Sequence, residues 1–150
     1  MRSSLTIEFI RACALEGQYE ISLHADQERL EDGLAIKDVE EALCSAEVLE
    51  DEVEGRAEPK HLKSEAMAGK YSDCFFCGGE VVETAINREI WWKGKLHLIQ
   101  EVPAGVCKQC GEKVILPEVA GEIDRILQGR TAPEEVLQVP AYRYPRSKAV

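Results

Sequence analysis

Apolar residues recur at helical spacing across residues 4–16, where Leu5, Phe9 and Cys13 form one stripe with Ile10 and Ala12 beside it. Ser4 is placed to cap this helix and Gly17 to end it. Tyr19-Glu20-Ile21-Ser22-Leu23 alternates like a short strand. His24 to Leu30 then reads as a helical segment closed near Gly33. A further helix is expected from Ile36 to Ala46, with Val39, Ala42, Leu43 and Ala46 on one face. From Glu50 to Asp73 the chain is polar and acidic, with little that could build a core.

The second half has a different pattern. Glu80 to Ile86 reads as a strand, and Ile90 to Ile99 as a hairpin turning at Lys93-Gly94. Val102-Pro103-Ala104-Gly105-Val106 continues from it. Pro117 is suited to open a helix that carries Val119, Ile123, Ile126 and Leu127 on one face, and Gly129 to close it. Val136 to Tyr144 reads as an edge strand, because Pro140 removes a ladder donor.

At 150 residues the chain has room for one ordinary domain or two small ones. Its 45% hydrophobic and 31% charged content suits a soluble globular protein. No apolar run approaches the roughly 18 residues of a membrane span. The N-terminus lacks the apolar core of a signal peptide, so a cytoplasmic location is expected. Charge is uneven: residues 1–73 carry 8 Lys/Arg and 18 Asp/Glu, while residues 74–150 carry 10 of each. There is no basic footprint for nucleic acid, and the acidic half suggests a solvated surface or a basic protein partner.

Chemistry concentrates in the cysteines. Cys74-Phe-Phe-Cys77-Gly-Gly and Cys107-Lys-Gln-Cys110-Gly-Glu are two Cys-x-x-Cys pairs separated by 29 residues. Each pair can bring two sulfurs to one metal, and two pairs returned by a hairpin complete the tetrahedral shell that zinc prefers. A glycine after each pair lets the chain turn, so that N–H groups face the sulfurs. A redox dithiol would instead place one Cys-x-x-Cys at a helix start within a βαβ unit. Four thiolates leave no open position for catalysis, so Cys74, Cys77, Cys107 and Cys110 are expected to hold a structural Zn2+. Cys13 and Cys44 lie in helical apolar patterns and read as small buried hydrophobes.

The remaining candidates are weaker. Trp91 and Trp92 point to opposite faces of a strand, and the alternation of His97 with Leu96 and Leu98 reads as an exposed or interface position rather than a ligand. All three are candidate partner contacts, although both tryptophans also suit a core. His61 reads as solvated. His24, at a strand-to-helix junction with only Arg29 near it in sequence, is expected to cap or order the helix start. A nucleolytic role would require cationic phosphate clamps and an open groove. No triad, phosphate loop or paired-carboxylate motif is present, so no catalytic residue is assigned and the chain is expected not to be an enzyme.

Taken together, Cys74-x-x-Cys77-Gly-Gly, the Lys93-Gly94 turn, Val102-Pro103-Ala104, Cys107-x-x-Cys110-Gly-Glu112 and Pro117-Glu118-Val119-Ala120 resemble the YgiT-type (MqsA N-terminal) zinc finger of bacterial antitoxins, over residues 72–144. The resemblance implies a zinc-stabilised domain, with those four cysteines as ligands, that binds a RelE-like ribonuclease toxin. Full MqsA proteins add a helix-turn-helix that binds operator DNA. This chain ends near residue 150 without one, so DNA binding by that route is not expected. Residues from Tyr19-Glu20-Ile21-Ser22-Leu23-His24-Ala25 through Glu28-Arg29-Leu30 to Asp38-Val39-Glu40-Glu41-Ala42-Leu43 resemble a toxin-like domain of unknown function often encoded beside such fingers. That family continues into several strands after the position of Gly55, and here the chain passes to the zinc domain instead.

The expected fold is therefore α+β. A truncated toxin-like α+β segment (residues 1–55) and a linker (56–71) precede a zinc-ribbon-like antiparallel β domain with one C-terminal helix (72–150). The expected function is that of an antitoxin of a type II toxin–antitoxin system, neutralising a RelE-like toxin. Its rivals are a ribonuclease remnant restrained in cis and a zinc-ribbon nucleic-acid adaptor.

Overall fold

The computed structural model describes residues 7–47 and 70–145. The fold is α+β. Its elements are α1 (Ile7–Glu16), β1 (Ile21–Ser22), α2 (Leu23–Glu31), α3 (Ile36–Ser45), β2 (Val81–Trp92), β3 (Lys95–Cys107), β4 (Lys113–Ile115) and α4 (Pro117–Leu127). Ser4, His61 and residues 56–69 of the expected linker lie outside the described residues. No helix among the described residues is long and apolar enough to cross a membrane.

The strands form one antiparallel sheet in the order β1-β4-β3-β2. Its backbone is a single long hairpin. The strand expected at 80–86 and the hairpin expected at 90–99 merge, because β2 runs unbroken from Val81 to Trp92. Lys93 and Gly94 take left-handed φ values of 49° and 74°. This is the geometry of a type I′ turn, whose twist matches that of its flanking strands. A register shift follows Ile86, which pairs with Val102, whereas Arg88 pairs with Ile99. The extra residue lies on β3, where Glu101 adopts φ 55° and its N–H donates to Asn87 Oδ1 at 3.2 Å. The bulge switches the alternation of β3, so that Ile99 and Val102 both pack toward the core.

β1 joins this sheet through β4, with Ile21 opposite Ile115 and Ser22 opposite Val114. The first and last thirds of the chain consequently share one sheet and one core. Leu30 and Ile36 pack with Ile90, Val102, Ala104, Ile115 and Ile123. α2 lies against β2 and β4, α4 against β3, and α3 against α4, with α1 stacked on α3.

Beneath the helices lies a buried ionic network that the sequence did not suggest. Asp26, fully buried, accepts from Arg29 Nε at 2.7 Å and from Arg88 on β2. Arg29 Nη1 also donates to Asp124 Oδ1 on α4 at 2.8 Å and to the Leu34 carbonyl at 2.9 Å. Asp124 Oδ2 in turn accepts the Ile36 N–H at 2.8 Å, satisfying one of the orphan donors at the start of α3.

Several expectations are corrected. Val136–Tyr144 forms no strand. These residues are exposed and pair with no strand among the described residues, and Pro140 offers no N–H to anchor one. The cap of α2 is Ser22, whose Oγ accepts the Ala25 N–H at 3.1 Å, not His24. Cys13 and Cys44 are half-buried rather than buried. The residue of α1 that does pack inward is Ala14.

Candidate metal centre

The base of the hairpin brings the four predicted cysteines together. Cys74 Sγ and Cys110 Sγ lie 3.5 Å apart, and Cys77 Sγ and Cys107 Sγ 3.4 Å apart. All four sulfurs fall within 4.8 Å of one another. Tetrahedral bonds of about 2.3 Å would set sulfurs about 3.8 Å apart, so the cluster has the size a metal ion requires.

The two knuckles are built alike. Gly78 N–H donates to the Cys74 carbonyl and Cys74 N–H to the Gly79 carbonyl, both at 2.8 Å. In the second knuckle Gly111 N–H reaches the Cys107 carbonyl at 3.0 Å, and Cys107 N–H the Glu112 carbonyl at 2.9 Å. Gly78 and Gly111 turn with φ of 74° and 77°, a region open to glycine without strain. Gly79 is needed for a different reason. A Cβ there would meet Gln109 Cβ at 2.8 Å, Cys107 Sγ at 3.0 Å and Cys77 Sγ at 3.2 Å. Strand register supplies the rest, since Val81 opposite Cys107 sets the second knuckle beside the first. Lys108 tightens the closure, through its N–H to the Glu80 carbonyl at 3.0 Å and its Nζ to the Glu80 carboxylate at 2.8 Å.

Backbone N–H groups point at two of the sulfurs. Gly79 N–H donates to Cys77 Sγ and Gln109 N–H to Cys107 Sγ, each at 3.4 Å. Hydrogen bonding from the Cys110 N–H, assisted by that of Gln109, holds the Cys107 thiol down at about 6. The Glu112 N–H lowers Cys110, but the sulfurs of Cys77, Cys74 and Cys107 together with burial outweigh it and push that thiol up to about 12. Cys74 and Cys107 are buried, while Cys77 and Cys110 reach the surface.

The predicted partner contacts do not form one surface. Trp91 is 61% exposed on the outer face of the hairpin. Trp92 lies on the inner face, packed partly against the core, with Lys93 Nζ 5.6 Å from its ring centroid. His97, opposite Ile90, shares that inner face and is half-buried, with Nδ1 3.1 Å from the Lys95 carbonyl. The true neighbours of Trp91 are Leu96, directly opposite it, and Leu98, two pairs further along on the same face. The alternation of His97 with the two leucines predicts an exposed His97, whereas it is Leu96 and Leu98 that take the outer face. Phe75 and Phe76 form a second exposed apolar feature, stacked edge to face at 5.7 Å within the first knuckle and 85% and 69% exposed.

His24 projects into solvent 3.1 Å from Glu28. Arg29, the cation close to it in sequence, is buried between carboxylates. Comparison with family models, with curated proteins and with solved structures finds no match to this chain.

Proposed function

We propose that this chain is a non-enzymatic, zinc-stapled binding protein that acts as an antitoxin, docking on and neutralising a RelE-like ribonuclease toxin. The observation that carries the reading is the convergence of four cysteine sulfurs at the base of a hairpin whose outer face stays apolar and open around Trp91. Four thiolates satisfy zinc completely, so the ion adds folding energy rather than a reactive position. Among the described residues the long hairpin it closes is covered by helices on one face only, which leaves the Trp91–Leu96–Leu98 face for a partner. Exposed aromatics of this kind anchor protein interfaces.

The charge of the chain supports a basic protein as partner: the net is −10, and a nucleic-acid ligand would meet no compensating basic patch. The enzyme alternative finds less support. Arg29, the cation that would clamp a phosphate beside His24, is committed to Asp26 and Asp124.

Affinity purification of the tagged full chain from its native cells tests this reading. It predicts a small basic RelE-like ribonuclease as the co-purifying protein, with RNA cleavage suppressed when the chain is added back. Recovery of the chain without such a protein, or cleavage unaffected by it, contradicts the reading.

A further inference from the structure

The residues that enter the first knuckle are held from both halves of the chain. Glu20, just before β1, accepts the Ser72 N–H on Oε1 at 2.7 Å and the Ser72 hydroxyl on Oε2 at 2.9 Å. Lys70 Nζ pairs with Glu83 on β2 at 2.9 Å and reaches Glu118 on α4 at 4.0 Å. The Tyr71 ring fills the space over Gly105 on β3, where a Cβ would stand 2.6 Å from Tyr71 Cδ1 and 2.7 Å from Val81 Cγ1. Cys74 follows at once, its sulfur 3.5 Å from that of Cys110.

β1 is a short strand with a narrow footing. Its two residues pair with β4, Ile21 opposite Ile115 and Ser22 opposite Val114. β4 starts at Lys113, directly after the second knuckle, and meets β3 through Gly105–Val114 and Val106–Lys113. The strand pairing of β1 and its Glu20 contact therefore both rest on chain that flanks a cysteine pair. α2 and α3 are held elsewhere. Asp26 binds Arg88, Asp124 binds Arg29 and the Ile36 N–H, and Leu30 and Ile36 sit in the core.

We propose that Glu20 and Ser72 form a clasp through which the metal ion orders β1. With the ion bound, the first knuckle is fixed and its entry offers Ser72 to Glu20. Loss of the ion frees both flanks and releases β1 from the sheet, while α2 and α3 stay packed. A strand held by two residue pairs belongs to the least stable part of a fold, where local opening begins. The proposal rests on the reading of Cys74, Cys77, Cys107 and Cys110 as a metal centre. Within it Glu20 is a positioning residue, 52 positions from Ser72 in sequence. Coupling of this kind is reciprocal, so a clasp that the ion closes also tightens the hold on the ion.

Zinc competition against a chromophoric chelator, with hydrogen exchange read by mass spectrometry, tests the clasp on the full chain. Glu20→Ala is expected to raise the zinc Kd at least about fivefold, and Ser72→Ala to act in the same direction. The two substitutions together should cost little more than Glu20→Ala alone, because they remove one contact. Glu89→Ala, which removes an exposed carboxylate on β2, should change the Kd by less than about twofold. Stripping zinc from the unaltered chain should speed exchange at residues 19–23 and leave α2 and α3 nearly unchanged. Glu20→Ala should speed the same residues even when zinc is bound. Circular dichroism checks that the variants keep the wild-type helices. An unchanged zinc Kd in Glu20→Ala, or exchange at residues 19–23 that ignores zinc, overturns the clasp and leaves the metal centre standing. An unaltered chain that takes up no zinc overturns both.

Discussion

Arg29 Nη1 on α2 lies 2.8 Å from Asp124 Oδ1 on α4, and both side chains are buried although 95 positions separate them. With Asp26 and Arg88 they form two carboxylates facing two guanidiniums, which ties α2 to the hairpin and to α4. Removing one partner of such a set strands a charge without water. Asp26→Asn is expected to destabilise the chain by about 3–5 kcal/mol in urea unfolding. Glu122→Gln, which breaks an exposed pair with Arg125, is expected to change stability by less than about 1 kcal/mol. Similar effects for the two would contradict the network's role.

The glycines of the knuckles separate two physical effects. Gly79→Ala places a Cβ against Gln109 Cβ and two of the sulfurs, so it is expected to weaken metal binding measured by chelator competition. Gly111→Ala meets nothing within 4 Å but must hold a φ of 77°. Its expected effect is a stability loss of about 1–2 kcal/mol with metal affinity nearly retained. Equal losses of metal affinity in both variants would argue against the packing account.

Metal removal is expected to open the hairpin from its base. Chelation should abolish amide protection around Cys74–Val82 and Val106–Gly111, while the turn at Lys93-Gly94 persists longer. Uptake of the ion should release protons, because the Cys110 thiol stands near 12 and Cys77 is also raised before the metal binds. Titration calorimetry in buffers of different ionisation enthalpy reads that release directly, and a buffer-independent heat at neutral pH would contradict it.

The two adjacent tryptophans should behave differently. Trp92 packs against the core, so Trp92→Ala is expected to lower the melting temperature, whereas Trp91→Ala should leave it nearly unchanged. In a toxin-binding assay the order reverses, and loss of Trp91 should weaken binding by about 2 kcal/mol or more. Unchanged binding in Trp91→Ala would remove the outer hairpin face from the interface.

Much of this architecture is legible in the sequence because its signals are local. The Lys93-Gly94 turn, the Pro117 start and Gly129 end of α4, and the two knuckles each depend on residues within a few positions of one another. β1 falls within the short strand read at Tyr19–Leu23, whereas β4 is harder to see: with three residues, it becomes a strand only by pairing with β1 and β3. The Asp26–Arg29–Arg88–Asp124 network is silent in the sequence because charged residues read as surface until tertiary contacts enclose them. The edge strand expected over Val136–Tyr144 misleads for the converse reason: an apolar stretch with no neighbour to pair with among the described residues remains open chain. The placing of Trp91 and Trp92 on opposite faces is legible from the pleat alone, and the same pleat sets His97 on the face of Trp92.

The central claim is that four thiolates and one zinc ion close the hairpin. X-ray absorption at the zinc edge, on full chain purified under reducing conditions, tests it most directly. One zinc per chain with four sulfur neighbours at about 2.3 Å is the predicted result, falling to a mixed shell when Cys110 is replaced by serine. A shell containing nitrogen or oxygen in the unaltered chain, or no stoichiometric metal in a chain that still folds cooperatively, would contradict it.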